Sequence, residues 1–375
     1  DTVLREELNI PLGLADPNVY ILDPCCGTGA YLVEVIKCID ATLKAQGEDA
    51  LSGAILKQEV IKRVFGFEIL TAPFVVAHLQ LGLLLQNLGT PLVDATERVG
   101  VYLTNALTGW EPPDADAKRQ IQQLELHFPE LKQERDAADE VKREKPILVI
   151  LGNPPYNAFA GVSPQEEQGL VEPYKDGLIS QWGIKKFNLD DLYIRFFRLA
   201  EQRIAEKTQK GVVCYISNFS YLDNPSFVVM RQRFLRQFDK LWFDCLNGDS
   251  RETGKLTPEG EPDPSVFSTA YNREGIRVGT AISMLVRQHH GEAASVMFRH
   301  FWGVNKRTEL LASLAVPDFD SQYEVAYPTE ADRYSFRPSD VASHYLSWPK
   351  IIELSLLTPF NGPVERRGFA LISIE

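Results

Sequence analysis

Apolar and polar positions alternate between two periods over the first 110 residues. Residues 19–22 form a short β-branched run ending in Asp-Pro. Residues 30–45 carry apolar side chains at helical spacing (Leu32, Val35, Ile36, Ile39, Leu43). A second strand is predicted at 64–70, a strongly apolar helix at 73–88 with Pro73 in its first turn, and a third strand at 99–103. Strands alternating with such helices imply βαβ units and a parallel sheet. Residues 111–146 break the pattern. They are dense in Asp, Glu, Lys, Arg and Gln around Leu124, Leu126 and Leu131, and read as an exposed helical insertion. The alternation resumes with strands at 146–151, 211–217, 241–246 and 280–286 and helices at 192–205 and 227–238. The expected fold is therefore α/β: a doubly wound, mostly parallel sheet of seven strands. Residues 248–278, rich in Gly, Pro and charge, read as a long loop. After about 290, aromatic and Pro-interrupted segments suggest a second module. The expected division is 1–290 and 291–375.

Composition narrows the class. Apolar residues make up 44% and charged residues 24% of the 375 residues, the balance of a soluble globular chain and not of a disordered or fibrous one. The best candidate for a membrane span, 73–85, is broken by His78 and Gln80, so none is expected. No secretory leader is recognisable. The cysteines (Cys25, Cys26, Cys38, Cys214, Cys245) are odd in number and lack zinc spacing, which points to a reducing cytoplasm. The net charge is −12. A dedicated nucleic-acid binder is usually basic, but a basic cleft can sit on an acidic body.

Candidate chemistry collects at strand ends. Asp23-Pro24-Cys25-Cys26-Gly27-Thr28-Gly29 turns from the first strand into a helix. Glycines there allow close approach of a ligand, and the helix N-terminus favours negative charge. A dinucleotide fingerprint would place a third glycine where Leu32 stands. The alternative is a tight turn without a ligand. Glu68 ends the second strand and can accept both hydroxyl hydrogens of a ribose. Asn105 ends the third, with a donor and an acceptor suited to an adenine edge. Either could instead serve as a helix cap. Asn153-Pro154-Pro155-Tyr156 follows the fourth strand. Its prolines remove two donors and stiffen the backbone. The Pro154 carbonyl and Asn153 oxygen can then converge on a planar amino group, with Tyr156 as a flat face. The alternative is a rigid loop with a core tyrosine.

Cys25 and Cys26 near a helix start read as loop-filling residues and not as activated thiols. The pair His289-His290 reads as a solvated loop, and no metal site is expected. Arg231, Arg233 and Arg236 read as a solvated helix face. Phe267 is a candidate second ring against a substrate base, or else a loop anchor.

The segments 23–29 and 153–156 resemble the cofactor and catalytic motifs of DNA amino-methyltransferases that modify adenine N6, in the order of the gamma class. The resemblance covers about residues 15–290. Asp191–Phe196, Asn218–Asp223, Leu246–Arg251 and Gly279–Ile282 further resemble the methylase part of large single-chain restriction–modification enzymes of type ISP and type IIG-like organisation. The resemblance implies a class I S-adenosylmethionine-dependent fold. It implies cofactor contacts from Asp23, Pro24, Cys25, Gly27, Thr28, Gly29, Glu68, Ile69, Asn105 and Ala106. It makes Asn153, Pro154, Pro155 and Tyr156 catalytic and an adenine flipped from duplex DNA the substrate, the base against which Phe267 is the candidate substrate-binding ring. Nuclease, motor and recognition domains are expected on the same polypeptide. The aromatic motif that the family carries before the first strand is not seen, and a recognition domain would be expected where the chain stops. The chain is therefore expected to be a fragment with little or no activity alone. Alternatives that keep the cofactor are an RNA adenine or a protein glutamine amide as acceptor, or a remnant that only binds.

Overall fold

Apolar runs at 20–23, 64–68 and 147–152 become neighbouring strands because each is buried on both sides. In the computed structural model these are β1 (Tyr20–Asp23), β2 (Val64–Glu68) and β4 (Ile147–Gly152), with β3 (Gly100–Leu103) outside β2. The structure describes residues 1–47, 52–94, 97–111, 129–156, 167, 169–185, 187, 189–288, 293–318, 320–338, 343–349 and 351–354. The remaining strands are β5 (Gly211–Asn218), β6 (Lys240–Asn247), β7 (Thr280–Arg287), β8 (Ser295–His300) and β9 (Glu324–Ala326). They complete one nine-stranded sheet in the order β3-β2-β1-β4-β5-β7-β6-β8-β9.

Two expectations are corrected by this sheet. It has nine strands, not seven, and it is mixed. Pairs β1–β2, β1–β4, β2–β3, β4–β5 and β6–β8 are parallel, while β5–β7, β6–β7 and β8–β9 are antiparallel. β8 escapes a pattern reading because its alternation, with Val296 and Phe298 turned inward, follows a change of composition. β9 has only three residues.

Side chains alternate across a strand, so each strand feeds both faces of the sheet. Ile21 and Val64 join one apolar cluster with Leu32, Ile36 and Leu81. Leu22 and Phe65 join the other with Tyr193, Phe197 and Phe234. Helices therefore cover both faces. The short α1 (Thr2–Glu6), then α2 (Ala30–Ala45), α3 (Ser52–Arg63) and α4 (Thr71–Asn87) lie on the first cluster's side. On α4, Ala77, Leu81 and Leu85 are buried, while Val75, Val76, Leu79 and Leu83 are exposed.

The charged stretch before β4 is only partly a solvated insertion. Residues 112–128, with Leu124 and Leu126, lie outside the described residues. Residues Pro129–Glu144 form α5, whose Ala138, Val141 and Lys142 are buried. The Lys142 ammonium donates to the Thr104 hydroxyl (2.8 Å) and the Asn105 carbonyl (2.9 Å). Glu134 accepts from Arg98 and from the Leu103 amide. These bonds tie the helix to the end of β3, which explains why a polar sequence packs there.

Of the three arginines of α8 (Val228–Gln237), Arg236 is exposed as expected, but Arg231 and Arg233 are not part of a solvated face. This helix follows the short α6 (Glu172–Lys175) and α7 (Leu192–Glu201). Arg231 is fully buried and donates to the carbonyls of Tyr221, Asn224 and Arg333. Arg233 pairs with Glu201 and Glu206. The loop 248–278 is held by two buried carboxylates. Asp263 accepts from the amides of Gly248 and Gly303, each at 2.7 Å, and pairs with Lys306 of α9 (Lys306–Ser313) at 2.6 Å. Asp249 accepts from the Gly279 amide at 2.8 Å.

Residues Asp1–Pro338 form one contact unit and Ser339–Glu375 another. In the second, 3-10 turns span Ser343–Ser347 and Ile351–Leu354, and Tyr345 lies against Trp348. Among the described residues no helix is long and apolar enough to cross a membrane. His289 and His290 lie outside the described residues.

Candidate active site

The sheet order reverses between β1 and β4, which places a crevice outside their C-terminal ends. The glycine turn fills one side of it. Gly27 (φ 54°) and Gly29 (φ 87°) both take left-handed backbone, which glycine adopts without steric penalty. A Cβ on Gly27 would meet nothing within 4 Å, so open space lies above the turn. Gly29 is the N-cap of α2 and supplies no side-chain cap. The first amides of that helix are thus left to bind water or an anionic ligand group.

Asp23 lies beneath this turn and is fully buried. Its Oδ1 accepts from the Cys25 amide at 3.1 Å, while its Oδ2 has no hydrogen-bond partner. Burial, with a smaller contribution from the Glu68 charge, pushes its carboxyl up to about 7. An orphaned carboxylate oxygen is the complement of a cationic group. The Cys25 thiol is pushed well up, first by burial and then by the Asp23 charge, and Cys26 is pushed up by burial. Neither is an activated nucleophile.

The second side comes from β4. Gly152 is the last residue of that strand, and a Cβ there would lie 2.6 Å from Asp23 Oδ1 and 3.3 Å from Cys25 Sγ. Only the bare backbone lets the two motifs touch. Asn153 follows, half-buried, then buried Pro154 and exposed Pro155. The Tyr156 hydroxyl donates its one hydrogen to Asn153 Oδ1 at 2.6 Å, and its oxygen also lies 3.2 Å from the Ile216 carbonyl oxygen. Tyr156 is half-buried against the core, so the flat ring is fixed by its hydroxyl. Asn153 Oδ1 keeps a second lone pair. Asn157 lies outside the described residues.

Glu68 and Asn105 both turn partly toward their own chain. Glu68 Oε1 accepts from the amides of Ile69 (2.8 Å) and Leu70 (2.7 Å) ahead of α4. Ile69 is 64% exposed and Ala106 is buried. The Cys26 amide donates to the Phe67 carbonyl at 3.0 Å, joining the glycine turn to the end of β2. Asn105 Oδ1 accepts from the Leu107 amide at 2.9 Å, and its Nδ2 donates to Glu167 Oε1 at 3.1 Å. Phe267 is half-buried on the 248–278 loop, its amide donating to the Ser265 hydroxyl at 3.3 Å.

Three residues of this region escaped the sequence reading. Tyr31, in the first turn of α2, is 39% exposed, and burial with the Asp23 charge raises its hydroxyl pKa. Its place directly after Gly29-Ala30 was the available signal. Glu167 and Arg195 form a buried ion pair at 2.7 Å. Arg195 lies in the segment Asp191–Phe196, already set apart by resemblance, but nothing in a polar stretch marks Glu167 as its partner.

The fold is that of an α/β domain found within solved restriction–modification enzymes. No protein-family model and no curated protein matches the chain. Among solved structures, the chain is similar to the nuclease-deletion mutant of the Type ISP restriction–modification enzyme LlaGI in complex with a DNA substrate mimic. The TM-score is 0.71 and the identity 21%, over 93% of this chain and 26% of that one. It is also similar to the ATP-dependent Type ISP restriction–modification enzyme LlaBIII bound to DNA, with a TM-score of 0.66 and 20% identity over 88% of this chain and 21% of that one. The DrdV–DNA complex gives a TM-score of 0.66 and 23% identity over 89% and 29%. The chain thus spans less than a third of the length of each.

Proposed function

We propose that this crevice binds S-adenosylmethionine and directs its methyl group to the N6 amino group of an adenine flipped from duplex DNA, as part of a restriction–modification enzyme. The observation that carries the reading is the contact across Gly152. It sets a glycine turn, open above Gly27, with an orphaned acid directly beside an amide and a tyrosine at a proline-stiffened strand end. The described residues fit the cofactor. Asp23 Oδ2 would meet its ammonium, the free amides at the start of α2 its carboxylate, Glu68 its ribose, and Asn105 its adenine, with Pro24, Cys25, Thr28, Ile69 and Ala106 lining the same pocket. When bound, the cofactor supplies an electrophilic methyl group on a sulfonium.

The residues of the chain do the rest. Asn153 Oδ1 and the Pro154 carbonyl accept both hydrogens of the target amino group. They draw its lone pair out of ring conjugation, and they fix the nitrogen in line for attack. Tyr156 faces the flipped base and Phe267 offers a second ring. Pro155 keeps the backbone from supplying a competing donor. DNA as the acceptor draws support from the DNA complexes of the similar structures. On this reading the residues before about 290 are the catalytic domain, and those after it begin a recognition or coupling region whose first strands extend the sheet. Nuclease, motor and recognition domains would lie on the same cytoplasmic polypeptide.

Titration calorimetry tests the cofactor half. S-adenosylmethionine and S-adenosylhomocysteine are expected to bind at one site, and NAD is not. Asp23 gives the binding a pH dependence. Its raised carboxyl favours the protonated form, so its contribution to folding is complete below the unfolded value near ~4 and is lost as pH rises through about 7. A bound ammonium stabilises the ionised form. Affinity should therefore rise with pH up to about 7 and level off above it, with a proton released on binding at the acid side. Asp23→Asn should abolish both the slope and the proton release. A flat profile in the unsubstituted protein would remove Asp23 from the ammonium contact.

A further inference from the structure

We infer that the buried Arg195–Glu167 ion pair is a positioning device for Asn105, holding its side-chain amide in the one orientation that reads adenine. Glu167 and Arg195 thereby set the base selectivity of the cofactor site. The inference rests on the reading of Asn105 as the contact to the cofactor's adenine.

Asn105 stands at the end of β3, held on three sides. The Lys142 ammonium holds its backbone carbonyl at 2.9 Å. The Leu107 amide donates to Oδ1 at 2.9 Å, and Nδ2 donates to Glu167 Oε1 at 3.1 Å. Turning the amide over would set its NH₂ against the Leu107 N–H and its oxygen against the Glu167 carboxylate. Both contacts would be repulsive, so the orientation is determined from each end. Arg195 holds the far oxygen of Glu167 at 2.7 Å, with side chains only 2% and 8% exposed. An ionised acceptor bonds its donor more strongly than a neutral one.

Each polar atom of the Asn105 amide keeps one further bonding position: a second N–H and a second oxygen lone pair. Adenine presents an amino donor beside a ring-nitrogen acceptor. Hypoxanthine presents the reverse, a carbonyl acceptor beside an N–H donor. A freely turning asparagine can read either edge. The amide held by Glu167 reads only the first.

The test is a competition titration of S-adenosylhomocysteine against its hypoxanthine counterpart on the full chain, with thermal melting to check folding. The unsubstituted protein should prefer the adenine form, and Asn105→Ala should lose that preference. Glu167→Ala should weaken adenine-form binding roughly 3–10-fold, the range of one neutral hydrogen bond. It should leave the hypoxanthine form unaffected or improved, so the preference collapses. Glu167→Gln, which keeps an acceptor but loses the ion pair, should rescue part of it, and Arg195→Met should behave like Glu167→Gln. A merely structural role would weaken both ligands alike. Wild-type preference in Glu167→Ala, alongside its loss in Asn105→Ala, overturns the inference and spares the cofactor site. Preference intact in Asn105→Ala overturns the inference together with the role given to Asn105. No binding of S-adenosylhomocysteine to the unsubstituted protein overturns both and the proposed function with them.

Discussion

Asn153→Ala is expected to lower methyl transfer by about 10²–10³-fold while S-adenosylmethionine binds as before. The magnitude follows from removing one preorganised polar group from the point where charge develops, the situation of a lost oxyanion-hole donor. Asn153 Oδ1 is already oriented by the Tyr156 hydroxyl, which donates to it at 2.6 Å. One lone pair is taken by that bond and the other remains to accept from the target amino group. Alanine offers no acceptor, and the target nitrogen keeps its conjugation with the ring. The proposed cofactor contacts lie at and just after the ends of β1, β2 and β3 and do not involve this side-chain amide. Single-turnover kinetics together with calorimetry separate the two effects. A normal rate would take Asn153 out of the chemistry, and a parallel loss of cofactor affinity would make it a structural residue.

Gly152→Ala should remove cofactor binding and destabilise the fold together. The added Cβ would lie 2.6 Å from Asp23 Oδ1, a separation that requires something to move. Asp23 is fully buried on a short side chain, and Cys25 Sγ closes the other direction at 3.3 Å. The strand end must therefore shift away from the glycine turn. Overpacking of this kind costs about 1–3 kcal/mol, read as a lowered urea midpoint. Because the same shift separates Asn153 from the turn, any folded fraction should bind cofactor poorly and transfer nothing. A variant with unchanged midpoint and affinity would show that β1 and β4 do not meet as closely as Gly152 allows.

The parts of this protein that were legible in its sequence are those governed by short-range rules. Gly27 and Gly29 are needed where they stand because their backbone is left-handed. The seven strands β1 to β7 announce themselves by apolar runs between helical periods. Asn153–Tyr156 is recognisable because two prolines after a buried strand leave few conformations. Long-range pairing was not legible. Lys142 sits in a charged helix, yet its ammonium is buried against Thr104 and Asn105. Arg231 looks like a surface residue until the carbonyls of Tyr221, Asn224 and Arg333 enclose it. Glu167 gains its partners, Asn105 and Arg195, only through the sheet order. Nor did spacing reveal that Glu68 spends one carboxylate oxygen on the amides of Ile69 and Leu70. In each case a charged side chain is satisfied by backbone or by a distant residue, and periodicity carries no trace of either.

The most direct measurement is methyl transfer by the protein as its native gene encodes it. Radiolabelled S-adenosylmethionine would be mixed in parallel with duplex DNA, RNA and protein, and the labelled product digested and identified by mass. Label is expected in DNA alone, recovered as N6-methyldeoxyadenosine and lost in Asn153→Ala. Label recovered instead in RNA adenine or in a glutamine amide would contradict the proposed acceptor, and no transfer to any of the three would contradict the catalytic reading of the crevice.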